Sequence, residues 1–156
     1  MRRVSCLKSI GHRVLVINHS SDDRYSTVDE VVTHGGHTMK SVKTETLCDI
    51  DTTGFEVVAI DEAQFFPDLF ETVLKYVNLK KNVIVAGLIS DYRREPMGQV
   101  LDLISKADEI VQLRAYCSMC KDGSLASFTK RLTDETDQVV VGHKDKYMAV
   151  CGRCYT

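Results

Sequence analysis

The sequence predicts an α/β protein, a parallel sheet wrapped by helices, followed by a small second unit organised by cysteines. Three observations lead there. Apolar, β-branched runs alternate with helical patterns, one of those runs closes on two adjacent acids, and two Cys-x-x-Cys hooks stand near the carboxyl end. Alternation of strand and helix favours parallel pairing, because each crossover helix returns the chain to the same edge of the sheet.

Residues 13–18 (RVLVIN), Val57–Asp61 and residues 82–87 (NVIVAG) are the strand candidates, with residues 109–114 (EIVQLR) a weaker fourth. Pro67 suits a first helical turn, where its missing N–H removes no helical bond. Leu69, Phe70, Val73, Leu74 and Val77 then form one apolar face. Residues 98–107 repeat the device, with Val100, Leu101 and Ile104 expected inward. After Arg114 small, polar and charged residues dominate, with one late strand expected at residues 138–141 (QVVV). The expected domains are therefore 1–114 and 115–156.

One hundred and fifty-six residues suffice for one domain with a core plus a small appendage. With 20 basic against 22 acidic side chains the net charge is −2, which gives no global pull toward nucleic acid or an anionic membrane. The apolar runs are far shorter than a membrane span, and no signal segment opens the chain. A cytoplasmic protein with neither nucleic-acid nor membrane partner is expected, and in that setting six cysteines suggest metal before disulfides.

The most informative segment is VVAIDEAQFF, residues 57–66. An apolar run ending in an acid reads as a buried parallel strand that delivers the acid at the carboxyl edge of a sheet. In phosphoryl-transferring proteins such an acid holds magnesium, and its neighbour can act on the nucleophile. The ordinary alternative is an exposed acid at a strand end. Cys117-x-x-Cys120 and Cys151-x-x-Cys154 form two hooks of equal spacing, with residues 121–150 between them. Two such hooks complete a closed tetrahedral zinc site, structural because four thiolates leave no open position. Zinc in such sites contributes ~10–16 kcal/mol of apparent binding free energy, ample to anchor a loop without its own core. Cys6 and Cys48 lack partners at useful spacing and read as plain thiols.

DEAQFF, then GLISDYRREPMG at 87–98, CSMC, ASFTKR and DKYMAVCGRC occur in one order, preceded by DDRYS at 22–26 and Thr33-His34. Together they resemble the cellular-type, poxvirus-like (type II) thymidine kinases over essentially the whole chain. The resemblance implies a P-loop NTPase, RecA-like α/β domain with a small zinc-bearing lasso domain. It implies transfer of the γ-phosphoryl of ATP to the 5′-hydroxyl of thymidine, with Mg2+ accompanying ATP and Zn2+ held by Cys117, Cys120, Cys151 and Cys154. Glu62 falls on the general base, where a carboxylate within hydrogen-bond reach of the alcohol makes chemical sense. Asp61 and Gln64 fall on the magnesium and ATP side, with Asp22 and Arg24 near the phosphates. Phe65, Leu88, Tyr92 and Met97 fall on the pocket around the thymine ring, and Tyr147 on an aromatic beside the substrate. Phe128 and Thr129, and Gln138, Val139, Val140, Val141 and Gly142, match lasso stretches whose backbone faces the nucleoside. A cytosolic homotetramer restrained by an end-product triphosphate is also implied.

The sequence departs from the family pattern in one large respect. It contains no G-x-x-x-x-G-K-[ST] loop, and residues 1–4 resemble the middle of the helix that follows that loop in relatives. The loop's amides, lysine and hydroxyl cradle phosphate and magnesium. Positioning alone can be worth ~7–11 kcal/mol in such a transfer. A start site placed too far downstream, or a truncated gene, is the expected explanation. Met97 and Tyr92 each replace a phenylalanine of the family, and Ile89-Ser90 replace an acid or small polar pair, which leaves the breadth of pyrimidine selectivity open.

Two rival readings follow. IDEAQ also resembles the acid motif of nucleic-acid-dependent ATPases, but those need a second motor domain and a basic groove. An inactive zinc protein that binds nucleoside or partner subunits is the other. Arg93 and Arg94 read as a solvated turn, Lys130 and Arg131 as lasso surface, Phe66 as core, and the five histidines as polar surface residues.

Overall fold

The computed structural model describes residues 1–21, 30–32, 38–138 and 146–156. It divides into two compact units, Met1–Ile89 with Gly98–Ser105 and Ser90–Met97 with Lys106–Thr156.

The first unit begins with helix α1 (Arg2–Ser9) and strand β1 (Val14–His19), followed by short strands β2 (Glu30–Val32), β3 (Thr38–Lys40) and β4 (Val42–Thr44). Strand β5 (Val57–Asp61), helix α2 (Leu69–Asn78) and strand β6 (Asn82–Val85) follow. The sheet order is β4-β1-β5-β6, and every pairing in it is parallel. The register sets Val14 opposite Val57 and Asn18 opposite Asp61, so β1 and β5 end at the same edge.

Both faces of the two central strands are covered, which explains why their sequences are apolar throughout rather than alternating. Leu15, Ile17, Val58 and Ile60 point to one side, into a core with Leu47, Phe66, Leu69, Val73, Tyr76 and Leu103. Their neighbours Val14, Val16, Val57 and Ala59 point to the other, with Val4 of α1. The side-chain period of two sorts one sequence into two cores. Leu47, at 0% exposure, is pinned by polar bonds: its amide donates to the Asp68 carboxylate at 2.9 Å, and its carbonyl accepts from the Tyr76 hydroxyl at 2.9 Å.

Three sequence expectations change, and a fourth falls largely outside the described residues. The buried face of α2 is Leu69, Thr72, Val73 and Tyr76, whereas Val77 is 49% exposed. Tyr76 takes the inward position because its hydroxyl finds the Leu47 carbonyl. Residues 98–107 do not form an α-helix; Leu101–Lys106 is a 3₁₀ helix. Three residues per turn bring Val100 and Leu103 to the core and turn Leu101 and Ile104 outward. Residues 109–114 form no strand, and Ile110, Val111 and Leu113 are exposed. An alternating apolar run becomes a strand only where a neighbour completes its hydrogen bonds, and no described residue does so here. Gln138 lies in a bend, and the remainder of the expected late strand, residues 139–141, falls outside the described residues.

The second unit contains two small antiparallel sheets. Strands β7 (Ala115–Tyr116) and β8 (Leu125–Ala126) form one; β9 (Phe128–Arg131) and β10 (Tyr147–Val150) form the other, before the terminal helical turn α3 (Gly152–Tyr155). Its buried cluster is small: Cys117, Val150 and Cys151, flanked by Phe128, Met148, Cys154 and Tyr155.

At the amino edge of β1, the amide and guanidinium of Arg13 both donate to the Glu56 carboxylate, at 2.7 and 2.9 Å. Those bonds hold the Glu56 carboxyl down at about 2, from an ordinary value of 4.5. A carboxyl depressed on folding stabilises the fold above pH 4.5, and that contribution is lost as pH falls through about 2. Because both side chains are exposed, the effect is small. Glu56→Gln is expected to flatten the acid limb of a stability–pH curve in that window and to leave neutral pH little changed, as read by urea unfolding at stepped pH.

Candidate active site and metal centre

Strand β5 delivers Asp61 and Glu62 at the carboxyl edge of the sheet, where the chain must reverse. The reversal is made at Glu62, whose backbone is left-handed (φ 50, ψ 39), at a cost of roughly 1–3 kcal/mol for a non-glycine residue. Two bonds offset that cost. The Glu62 amide donates to Asp61 Oδ1 at 3.0 Å, and Gln64 Nε2 donates to Glu62 Oε2 at 2.6 Å. The ladder also continues past the strand end, with Ala86 N donating to the Ile60 carbonyl and Ala63 N to the Ala86 carbonyl.

Gln64 is buried at 5% exposure, and both ends of its amide are used. Its Oε1 accepts from the Leu88 amide at 2.9 Å while Nε2 holds Glu62. Two glycines make this possible. A Cβ at Gly87 would lie 2.8 Å from Gln64 Oε1, and a Cβ at Gly98, where φ is +59, would collide with the Gln64 backbone. GLISDYRREPMG thus begins and ends with glycines that leave room for one glutamine.

Phe66 is core, as read from the sequence, and Phe65 is half-buried. Phe65 and Pro67 line a cleft of about 560 Å³ together with His19, Ser20, Ser21, Glu45 and Thr46. From the sequence His19 reads as an ordinary surface residue. Its ring instead meets Phe66 edge-on at 4.8 Å and Phe65 at 5.6 Å, and its Nδ1 lies 2.6 Å from Ser21 Oγ. Burial pushes its pKa below the ordinary value, against the pull of Glu45. No motif marks this histidine; only the strand register brings it beside Phe65. Asp61, Glu62, Gln64 and Leu88 are thus gathered in the first unit, with Leu88 exposed. Asp22 and Arg24 lie outside the described residues, as do Val139, Val140, Val141 and Gly142.

In the second unit, Asp91 folds residues 90–97 into a turn by accepting the Arg93 and Glu95 amides at 2.8 and 2.9 Å. Burial pushes the Asp91 carboxyl up, but those amides and the Gln138 side chain outweigh it, so its pKa lies below the ordinary value. Tyr92 follows, its hydroxyl donating to the Thr136 carbonyl at 3.2 Å. Gln138 Nε2 donates to the Pro96 carbonyl, and Met97 is buried. Arg94 is more than a solvated charge, since its guanidinium covers the Tyr155 ring at 4.7 Å. Thr129 pairs with Ala149 and Phe128 with Val150 across β9 and β10, and Arg131 stands opposite Tyr147.

The ligand sulfurs of Cys117, Cys120, Cys151 and Cys154 all lie within 4.8 Å of one another, with Cys120 and Cys151 at 4.0 Å. Four sulfurs around one zinc at ~2.3 Å would stand about 3.8 Å apart, so the cluster needs only a slight contraction. Backbone amides favour thiolate at two of the four, Cys117 and Cys151. Amides of Cys120 and Cys151 are directed at Cys117 and bring its pKa to about 6, while the Asp122 carboxylate raises Cys120 to about 12. Arg153 in turn pairs with Asp122 at 2.7 Å. These four cysteines could hold a metal ion such as zinc.

The class defined by fold and site is an α/β protein with an acid pair at the edge of a parallel sheet and a four-cysteine cluster suited to a soft metal. Comparison with known proteins is more specific: the thymidine kinase family profile matches residues 1–155, and the chain belongs to that family. It is 37% identical to the thymidine kinase of Vaccinia virus (strain Western Reserve), covering 99% of this chain and 86% of the relative. It is 40% identical to the cytosolic thymidine kinase of Gallus gallus and 39% identical to that of Homo sapiens. Those two alignments again cover 99% of this chain, and 69% and 65% of the relatives.

Two outcomes follow from this geometry. Gly98→Ala is expected to lower unfolding free energy by about 1–3 kcal/mol, since it combines an unfavourable φ with displacement of the Gln64 backbone. Equilibrium denaturation measures it, and a wild-type midpoint would remove the clamp from the account. Elemental analysis of the purified chain should find about one equivalent of zinc. Cys151→Ser should lose it and lower the melting temperature.

Proposed function

We propose that this chain is a thymidine kinase acting at the edge of the β1–β5–β6 sheet, in a P-loop NTPase (RecA-like) fold. The observation that carries the reading is the clamped acid pair, Asp61 and Glu62, in a chain of this family. Glu62 accepts the proton of the thymidine 5′-hydroxyl as that oxygen attacks the γ-phosphorus. The bond from the γ-phosphorus to the bridging oxygen of ADP breaks, giving dTMP. A base must sit at a fixed distance from the hydroxyl, and the left-handed turn with the Gln64 bond supplies that fixity. Asp61, an oxygen donor suited to a hard cation, would hold Mg2+, which would offset phosphate charge; Asp22, Arg24 and Gln64 are the further residues read on the ATP side.

From the family resemblance, Phe65, Leu88, Tyr92 and Met97 are the residues for the thymine ring and Tyr147 the aromatic beside the substrate. Main-chain groups of Phe128, Thr129 and residues 138–142 read its polar edge. Fixed amides and carbonyls need no side-chain ordering on binding, which favours discrimination. Zinc held by the four cysteines would be structural, tying the two hooks together. A cytoplasmic homotetramer rests on the family resemblance. In functional terms residues 1–114 are read as the kinase core and 115–156 as the lasso, whereas Ser90–Met97 and residues 106–114 fall in the second compact unit.

ATP-dependent dTMP formation tests the reading, and thymidine binding by titration calorimetry is expected with it. Where transfer occurs, Glu62→Gln should lower kcat by roughly 10²–10⁴-fold with thymidine affinity retained, the range for a positioned general base. A wild-type rate in that variant removes the assignment.

A further inference from the structure

Arg131 reads from the sequence as a surface residue, yet its guanidinium lies at the centre of a dense set of contacts in the second unit. One terminal nitrogen donates to the carbonyls of Glu135 and Asp137, at 2.8 and 2.5 Å. The other donates to the Tyr147 hydroxyl at 2.6 Å and, more weakly, to the Gln138 carbonyl at 3.4 Å. The plane lies over the Tyr92 ring with 3.7 Å from its carbon to the ring centroid, and 5.1 Å from the Tyr147 ring. Its Nε is buried without a hydrogen-bond partner among the described residues, so the hold is through the two terminal groups and the stack.

Three chain segments converge on this one cation, one of them distant in sequence. They are the turn bearing Tyr92, the loop 135–138, and strand β10 at Tyr147. A second bond closes the circuit, since the Tyr92 hydroxyl donates to the Thr136 carbonyl between the two carbonyls that Arg131 holds. A planar fork can bind several carbonyls while its face covers an aromatic ring; a lysine ammonium cannot do both.

We propose that Arg131 is a positioning residue for nucleoside selectivity: it clasps Tyr92, Tyr147 and the main chain of 135–138 into one rigid wall. The inference rests on the reading above that Tyr92, Gln138 and Tyr147 face the nucleoside. Arg131 itself needs no contact with ligand. Its effect passes through Tyr92 and the loop carbonyls, whose positions decide which base edge is accepted.

The test is calorimetric titration of the zinc-loaded chain with thymidine and deoxycytidine, for wild type, Arg131→Lys, Tyr92→Phe and the double variant. Arg131→Lys is expected to weaken thymidine binding roughly 10–100-fold, the scale of a wall misplaced by about 1 Å. The preference over deoxycytidine should fall with it, while zinc content and melting temperature stay at wild-type values. Hydrogen exchange at amides 132–138 should accelerate. The two substitutions should also be non-additive, because both release the same ring and loop. Wild-type affinity and preference in Arg131→Lys, with wild-type thymidine binding intact, overturns the inference and leaves the functional reading standing. Failure of the wild type to bind thymidine overturns the functional reading and this inference with it. If Arg131→Lys loses zinc or melts early, Tyr92→Phe decides, since it keeps the arginine and removes only the bond to Thr136. An unchanged thymidine preference there overturns the inference.

Discussion

The carboxamide of Gln64 is the interaction on which the presentation of the acid pair depends. It joins the carboxylate of Glu62 to the amide of Leu88, two groups that leave the sheet from adjacent strands. A buried amide with an unmade hydrogen bond would cost about 1–3 kcal/mol, so the side chain has one favourable placement. Gly87 and Gly98 preserve the space for it. The same side chain therefore stabilises the left-handed Glu62 and fixes the segment after β6. Local strain at the edge of the sheet is carried by well-packed, fully bonded neighbours. Chemistry that relies on positioning needs that arrangement.

The second unit is held together differently. Its strands have two to four residues, and its buried cluster is centred on Cys117, Val150 and Cys151. So little apolar surface supports only weak cooperativity, whereas the first unit has two cores on a four-stranded sheet. A metal held by thiols that already lie within 4.8 Å of one another would offer what packing cannot, a cross-link between the two cysteine hooks. The preparatory amides around Cys117 lower the cost of forming the thiolate that a metal requires.

Polar side chains in this unit act chiefly on main chain. Asp91 closes its turn by accepting two amides, Arg131 draws in three carbonyls, and the Tyr155 hydroxyl donates to the Tyr92 carbonyl. Such bonds shape loops without regular ladders, and they make the backbone itself a rigid surface. A loop ordered in this way loses less freedom on binding, which is the physical advantage of recognition through fixed amides and carbonyls.

Much of the architecture was legible in the sequence because it rests on local or periodic signals. Continuous β-branched runs at residues 13–18 and 57–61 become central strands buried on both faces, the run from residue 82 becomes a half-buried edge strand, and the acid pair emerges where a central strand ends. Two identical cysteine spacings likewise point to one cluster, and the four sulfurs lie within 4.8 Å of one another. What the sequence left open depends on partners far away along the chain. Residues 109–114 carry a strand pattern, yet no described neighbour completes their ladder. Tyr76 rather than Val77 turns inward because Leu47 presents a carbonyl there, and the 3₁₀ pitch reassigns the inward positions of residues 101–106. His19 gains its place beside Phe65 from β1–β5 register, and Arg131 its place from a tyrosine 39 positions earlier (131 − 92). Periodicity and spacing report which faces a chain can bury, whereas the roles of single polar side chains are decided by which carbonyls and rings the tertiary fold brings within about 3 Å.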